Sequence, residues 1–192
     1  MNELVAIVHP LESRTSSPWP FKERLKILLW SFAWPIFCGW TPKPLNAWRL
    51  FWLRLFGCKI QGTPFVHQRA RIDMPWHITL YDKSCVGDRA NLYALGEIEL
   101  GENCVVAQEA YLCTGTHDFN DPNMALVTAK ITVGDNAFVG ARVFVLAGVQ
   151  IGEGAIVGAC SLVTRSVEPW NMVAGSPARF LRVRTRPNSE ER

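Results

Sequence analysis

An aliphatic residue returns at every sixth position through the C-terminal half of the chain: Val133, Val139, Val145, Ile151, Val157 and Val163. Leu, Ile and Val total 45 of 192 residues, so six consecutive hits at one phase arise by chance only about once or twice in ten thousand. The residues after these are Gly134, Gly140, Leu146, Gly152, Gly158 and Thr164, and four residues after each stand Ala137, Val143, Val149, Ala155, Ser161 and Val167. Earlier runs keep the same interval with small slips: Ile60, Val66, Ile72, Ile78; then Leu80, Val86, Leu92, Ile98; then Leu100, Val106, Leu112. These runs begin at 60, 80 and 100, which fits three six-residue sides plus a two-residue bulge at one corner.

A six-residue period suits neither an amphipathic helix nor a simple alternating strand. It predicts short strands joined by turns, three to a coil, with coils stacked at roughly 4.8 Å. The aliphatic residue points inward, a small residue fills each corner, and the glycines are expected to permit tight turns. The fold class expected is all-β, a triangular parallel solenoid over residues 59–169.

Between Leu112 and Val133 the interval fails. Fifteen residues more than one side requires must leave the prism as an excursion, about 113–131, and a long loop on a rigid scaffold is a usual place for function. Its sequence includes CTGTHDFNDP, with His117 at its centre.

Composition sets the remaining bounds. The net charge of +3 is too small to point to nucleic acid. The positive charge is concentrated: residues 21–59 hold seven Lys or Arg against Glu23 alone, together with five of the eight tryptophans. This aromatic segment, 21–58, reads as two helices broken at Pro42 and Pro44, the second capped by Asn46 and ended by Gly57. Its expected role is to plug the open first coil; the alternative is an interfacial helix pair facing anionic lipid. The apolar run from Ile27 to Trp40 contains Pro35 and falls short of the roughly 20 residues of a membrane span. Residues 1–20 read as a flexible arm without a secretory leader. Ser176-Pro177 reads as the start of a short cap helix over 177–184, followed by a polar tail. The six cysteines lack metal-ligand spacing and read as small hydrophobes in a reducing cytosol.

The run VGDNAFVGARVFVLAGVQIGEGAIVGACSLVTRSVEPWNMVAGSPAR resembles the hexapeptide-repeat acyltransferases. Within them the chain is most similar to colanic-acid and exopolysaccharide acetyltransferases, through LKILLWSFAWPIF, PWHITLYDKSCVGD and LCTGTHDFNDPN. The resemblance implies a left-handed parallel β-helix assembled as a homotrimer with active sites between subunits. It implies acetyl-CoA as cosubstrate and a sugar or glycan hydroxyl as acceptor, with no metal. The free thiols point to the cytoplasm, at the inner face of the cell membrane where residues 21–57 touch lipid. The resemblance assigns His117 as general base, with imidazole suited to proton removal near neutral pH. It assigns Ala141, Ala159 and Cys160 to the pantetheine and Thr164, Arg165 and Arg179 to the phosphate end of the coenzyme. Asp118, Tyr93 and Phe138 are its candidate substrate contacts. Asp118, Asp121 and Glu109 are candidates to orient the imidazole or to make turns. Ala94, Phe138 and Ala147 depart from that branch, which commonly has Asn, Trp and Pro there. Three alternatives stand beside this: a streptogramin-type acetyltransferase, a zinc hydratase of the γ-carbonic-anhydrase kind, which needs three converging imidazoles, and a non-catalytic scaffold.

Overall fold

The computed structural model describes residues 6–11, 13 and 16–186. Its body is a parallel β-solenoid of three faces with five, six and five parallel strands, the second face extended by one antiparallel strand. The first face aligns Ile60, Leu80, Leu100, Val133 and Ile151 in register. The second aligns Val66, Val86, Val106, Val139, Val157 and Val173. The third aligns Ile72, Leu92, Leu112, Val145 and Val163. The sixfold interval is therefore the inward column of each face, and these side chains form one continuous core. The corner positions Ala90, Cys104, Ala110, Ala137 and Ala155 are fully or almost fully enclosed, as the taper of a triangular section requires.

The outward columns differ. Lys59, Thr79, Glu99, Thr132 and Gln150 give the first face a polar exterior. Phe65, Cys85, Val105, Phe138 and Ile156 make the second largely apolar. Arg71, Asn91, Tyr111, Phe144 and Leu162 make the third mixed, with Tyr93 stacked on Tyr111 and Tyr111 against Phe144.

The repeat glycines do a different job from the one expected. Gly134, Gly140, Gly152 and Gly158 are absent from the left-handed backbone positions, which fall instead on Gly62, Lys83, Asn103, Asn136 and Gly154 at one edge, on Arg89, Glu109, Arg142 and Cys160 at another, and on Gly148. What requires glycine is stacking: a Cβ on Gly140 would lie 2.7 Å from the backbone of Ala159 and Val157 in the next coil. All six cysteines are free thiols. Burial pushes Cys38 up to about 11 and Cys58 and Cys104 up to about 12, so these three act as packing groups rather than nucleophiles.

The first coil would expose the polar backbone of its free edge, and the helical segment covers it. Helix α1 spans Phe21–Phe37 and helix α2 spans Asn46–Leu55. Trp30, Ala33 and Trp34 of α1 and Leu50 and Leu53 of α2 enter the core. The indoles of Trp30 and Trp34 donate to the carbonyls of Ile72 and Ala70. The main-chain N–H and C=O of Val66 both face this free edge; Asn46 accepts from the first and Arg49 donates to the second. Asn46 is thus a clip between helix and coil rather than a helix cap, its amide also donating to the Pro64 carbonyl. Arg49 is 0 % exposed and donates further to Thr41, Pro42 and Lys43. Desolvation lowers its pKa, while four acceptors replace its water. Gly57, with φ +91, ends α2 as expected.

Two terminal expectations are corrected. Ile7–His9 is a strand, paired antiparallel with Leu126–Thr128, so this part of the arm is docked on the excursion. His9 bonds the Thr128 hydroxyl, and the Asn123 amide donates to the Leu11 carbonyl. The second correction concerns the cap helix. Ala178–Val183 is a strand folded back on Asn171–Gly175. Proline serves a two-residue hairpin turn as well as it serves a helix start, and the Asn171–Gly175 edge, already paired with Ile156–Val157, gains a second partner this way. The polar tail 187–192 lies outside the described residues.

Candidate active site

The excursion leaves the third face after Tyr111–Cys113 and rejoins the first face at Ile131–Val133. Thr114 anchors its base: its hydroxyl donates to the Tyr93 carbonyl and accepts from the Gly96 N–H. Gly115–His117 then pairs antiparallel with Leu126–Thr128, placing His117 opposite Leu126 and Leu126 opposite His9. His117 therefore stands on a three-stranded sheet, a more rigid support than the loop its sequence implied.

The imidazole is exposed, and its Nδ1 lies 2.7 Å from the Met124 carbonyl oxygen. A carbonyl only accepts, so the neutral ring carries its proton on Nδ1 and leaves the Nε2 lone pair free. The orienting group is this backbone carbonyl and none of the carboxylates singled out from sequence. Asp118 accepts from the Asn120 N–H, and Asp121 accepts from the N–H groups of Asn123 and Ala125. Both aspartates shape the turns that bring Met124 back to His117. Glu109 lies on another edge, in ion pairs with Arg142 and Arg89. Met124 has a left-handed φ of 55, which the sequence pattern gave no means of locating.

Beside the base of this sheet lies a groove of about 650 Å³ between α1 and the third face. Asp73, Asn91 and Tyr93 line one wall; Arg24, Trp30 and Ser31 of α1 line the other. Asp73 is an exposed residue of its strand, and desolvation at the groove wall raises its carboxyl above the usual value. Leu95 connects the groove to the excursion, since a Cβ on Gly115 would sit 3.0 Å from its side chain. Trp19, also in the groove wall, packs against His9 and His77. Tyr93 is thus placed at the groove, next to Asp73 and Cys113 in register. Ala94 is fully buried, and His77 holds its carbonyl, so it offers no side-chain contact.

The other candidates fall into three places. Thr164, Arg165 and Arg179 come together around a depression of about 330 Å³ at the C-terminal end. Ala141, Ala159 and Cys160 stack on a different edge, between the second and third faces, where the Cys160 N–H donates to the Ala141 carbonyl. Phe138 belongs to neither: it lines a cavity of about 570 Å³ on the second face with Trp170, Arg184 and Arg186. Within one chain, then, the structure does not bring Phe138 to His117's face. Among the described residues no three His, Cys, Asp or Glu side chains converge as metal ligands, and no helix is long and apolar enough to cross a membrane.

Residues 130–165 match the bacterial transferase hexapeptide (six repeats) family. The chain is 41% identical over 161 residues to the putative colanic acid biosynthesis acetyltransferase WcaF of Escherichia coli K12, covering 83% of this chain and 88% of that one. Among solved structures, a hexapeptide-repeat-containing acetyltransferase from Vibrio cholerae superposes with a TM-score of 0.79 at 18% identity, over 90% of this chain and 96% of that one. A galactoside acetyltransferase in complex with coenzyme A superposes with a TM-score of 0.75 at 19% identity, over 87% and 84%.

Proposed function

The chain belongs to the hexapeptide-repeat acetyltransferases, and from that premise we propose that it moves an acetyl group from acetyl-CoA to a sugar hydroxyl in the assembly of an exopolysaccharide. The observation that carries this is the His117 ring, fixed through Nδ1 by the Met124 carbonyl so that Nε2 can take a proton. Nε2 accepts the proton of the acceptor hydroxyl as its oxygen attacks the thioester carbonyl. The same proton then passes to the departing sulfur, giving an acetyl ester and the free coenzyme thiol. The thioester supplies the activated acyl group; the protein supplies the base and the positioning.

The groove lined by Asp73, Asn91 and Tyr93 suits the acceptor, since a sugar needs polar side chains and an aromatic wall. The depression lined by Thr164, Arg165 and Arg179 suits the phosphates of the coenzyme, because two arginines and a hydroxyl border it. The Gly- and Ala-rich edge at Ala141, Ala159 and Cys160 offers main chain close to the surface for the pantetheine amides. That the two coenzyme groups lie on different edges of one chain fits a cleft completed by a neighbouring subunit. Two unlike outer faces, one apolar and one mixed, suit a head-to-tail ring of prisms closed as a homotrimer.

The test is thiol release from acetyl-CoA against a panel of nucleotide sugars, oligosaccharides, lipid-linked glycans and streptogramins. Turnover with a glycan supports the proposal; turnover with streptogramins alone replaces it. Arg165→Ala is expected to raise the KM for acetyl-CoA by about tenfold through loss of a charge-assisted contact, with kcat nearly unchanged. An unchanged KM would move the phosphate site away from this depression.

A further inference from the structure

Helix α1 is apolar on two sides. Trp30, Ala33 and Trp34 form the buried stripe, yet Leu25, Leu28, Leu29, Phe32 and Ile36 form a second stripe at helical spacing that stays exposed among the described residues. Helix α2 repeats this: behind Leu50 and Leu53 it leaves Trp48, Phe51 and Leu55 exposed. The two stripes join through Phe37 stacked on Trp52 and Trp48 against Phe51 and Trp52. Trp40 is 70 % exposed and Trp48 42 %, and both indole N–H groups are already bonded to backbone carbonyls. This end of the solenoid therefore shows water an apolar surface wider than the plug needs.

Charge identifies the occupant. Of the seven cations between residues 21 and 59, only Arg49 is buried; Lys22, Arg24, Lys26, Lys43, Arg54 and Lys59 are exposed, with Lys26 over the Trp76 ring, Arg54 donating to the Gly62 carbonyl and Arg24 at the groove. Glu23 is the one acid in the segment, and it pairs with Lys26. The rest of the chain holds thirteen Lys or Arg against sixteen Asp or Glu, so the molecule is cationic at this end and anionic elsewhere. Two copies meeting through this surface would bring twelve exposed like charges together, which argues against self-association. Tryptophan, long aliphatics and a cationic rim together are what the interfacial layer of an anionic bilayer accepts.

We propose that the outer face of α1 and α2 is a docking surface for anionic lipid, which holds this end of the solenoid on a membrane without crossing it. Helix α1 is about 25 Å long, short of the roughly 30 Å hydrocarbon layer, so it lies in the interface rather than spanning it. The same helix supplies Arg24, Ile27, Trp30 and Ser31 to the groove described above. Given the proposed acetyl transfer, docking sets that groove at the lipid surface, where an acceptor sugar carried on a lipid anchor is within reach. The docking itself stands without that reaction.

The experiment is flotation of the full chain with vesicles of phosphatidylcholine and phosphatidylglycerol, compared with phosphatidylcholine alone, at low and high salt. The expected result is binding to the anionic vesicles that weakens with salt. Phe32→Ser/Phe51→Ser and, separately, Lys22→Glu/Lys59→Glu should each lower binding by about tenfold or more. Thiol release with a water-soluble acceptor should stay at the parent rate in both variants, which separates failure of docking from failure of the proposed chemistry. No flotation with anionic vesicles overturns the proposal, as does equal flotation of parent and variants. A concentration-dependent rise in mass by light scattering that Phe32→Ser/Phe51→Ser abolishes would make the surface an interface between copies and overturn it equally.

Discussion

Replacing His117 with alanine is expected to lower kcat for acetyl transfer by a factor on the order of a thousand, the range general-base removal produces, with the KM for acetyl-CoA little changed. The imidazole makes one described hydrogen bond, to the Met124 carbonyl, and is exposed, so its loss removes no packing. The unfolding midpoint should therefore match the parent, with a stability change within about 0.5 kcal/mol. The pattern of kcat loss with intact fold and intact coenzyme KM is what distinguishes a base from a structural histidine. Asp118→Asn separates the carboxylates from the mechanism. Its oxygen shapes a turn, which the asparagine amide oxygen also supports, so activity should stay within a few-fold of the parent. Steady-state kinetics on the two variants decides the matter: full activity in His117→Ala removes this residue from catalysis.

Arg49→Met should produce the largest loss of stability of any single polar substitution in the plug. The guanidinium satisfies the Val66, Pro42 and Lys43 carbonyls and the Thr41 hydroxyl from a fully enclosed position. Methionine fills much of the volume and donates nothing. Stranded acceptors cost about 1–3 kcal/mol each, and those that reach water cost less, so a total on the order of 3–5 kcal/mol is expected. That is a large part of the stability of an ordinary domain. Urea unfolding at matched protein concentration measures it, the match being needed because assembly shifts apparent stability. A change under about 1 kcal/mol would mean that the helices hold the first coil by apolar contact alone, with Trp30 and Trp34 sufficient.

How much of this was legible in the chain depends on the range of the interaction concerned. The inward columns were legible because burial acts on every coil alike: each face repeats one environment, so Val133 through Val163 announce it in sequence. The excursion showed as fifteen residues beyond the interval, and His117 stood out as its histidine. The family resemblance supplied the chemistry of acyl transfer. The repeat glycines were found but given the wrong cause, since their reason lies in the coil above and not in their own dihedral angles.

What the tertiary structure decided is pairing between segments far apart in the chain. Nothing in IVH at residues 7–9 says that it will join Leu126–Thr128, because a short strand takes its partner from a free edge formed elsewhere. Nor does Pro177 by itself choose between a helix start and a hairpin turn; the unfilled edge of Asn171–Gly175 chose. The orienting group of His117 is a main-chain carbonyl, and a carbonyl belongs to every residue, so only the fold could single out Met124. Local periodicity determined the solenoid; closure of its free edges and the aim of one imidazole came from contacts that periodicity does not encode.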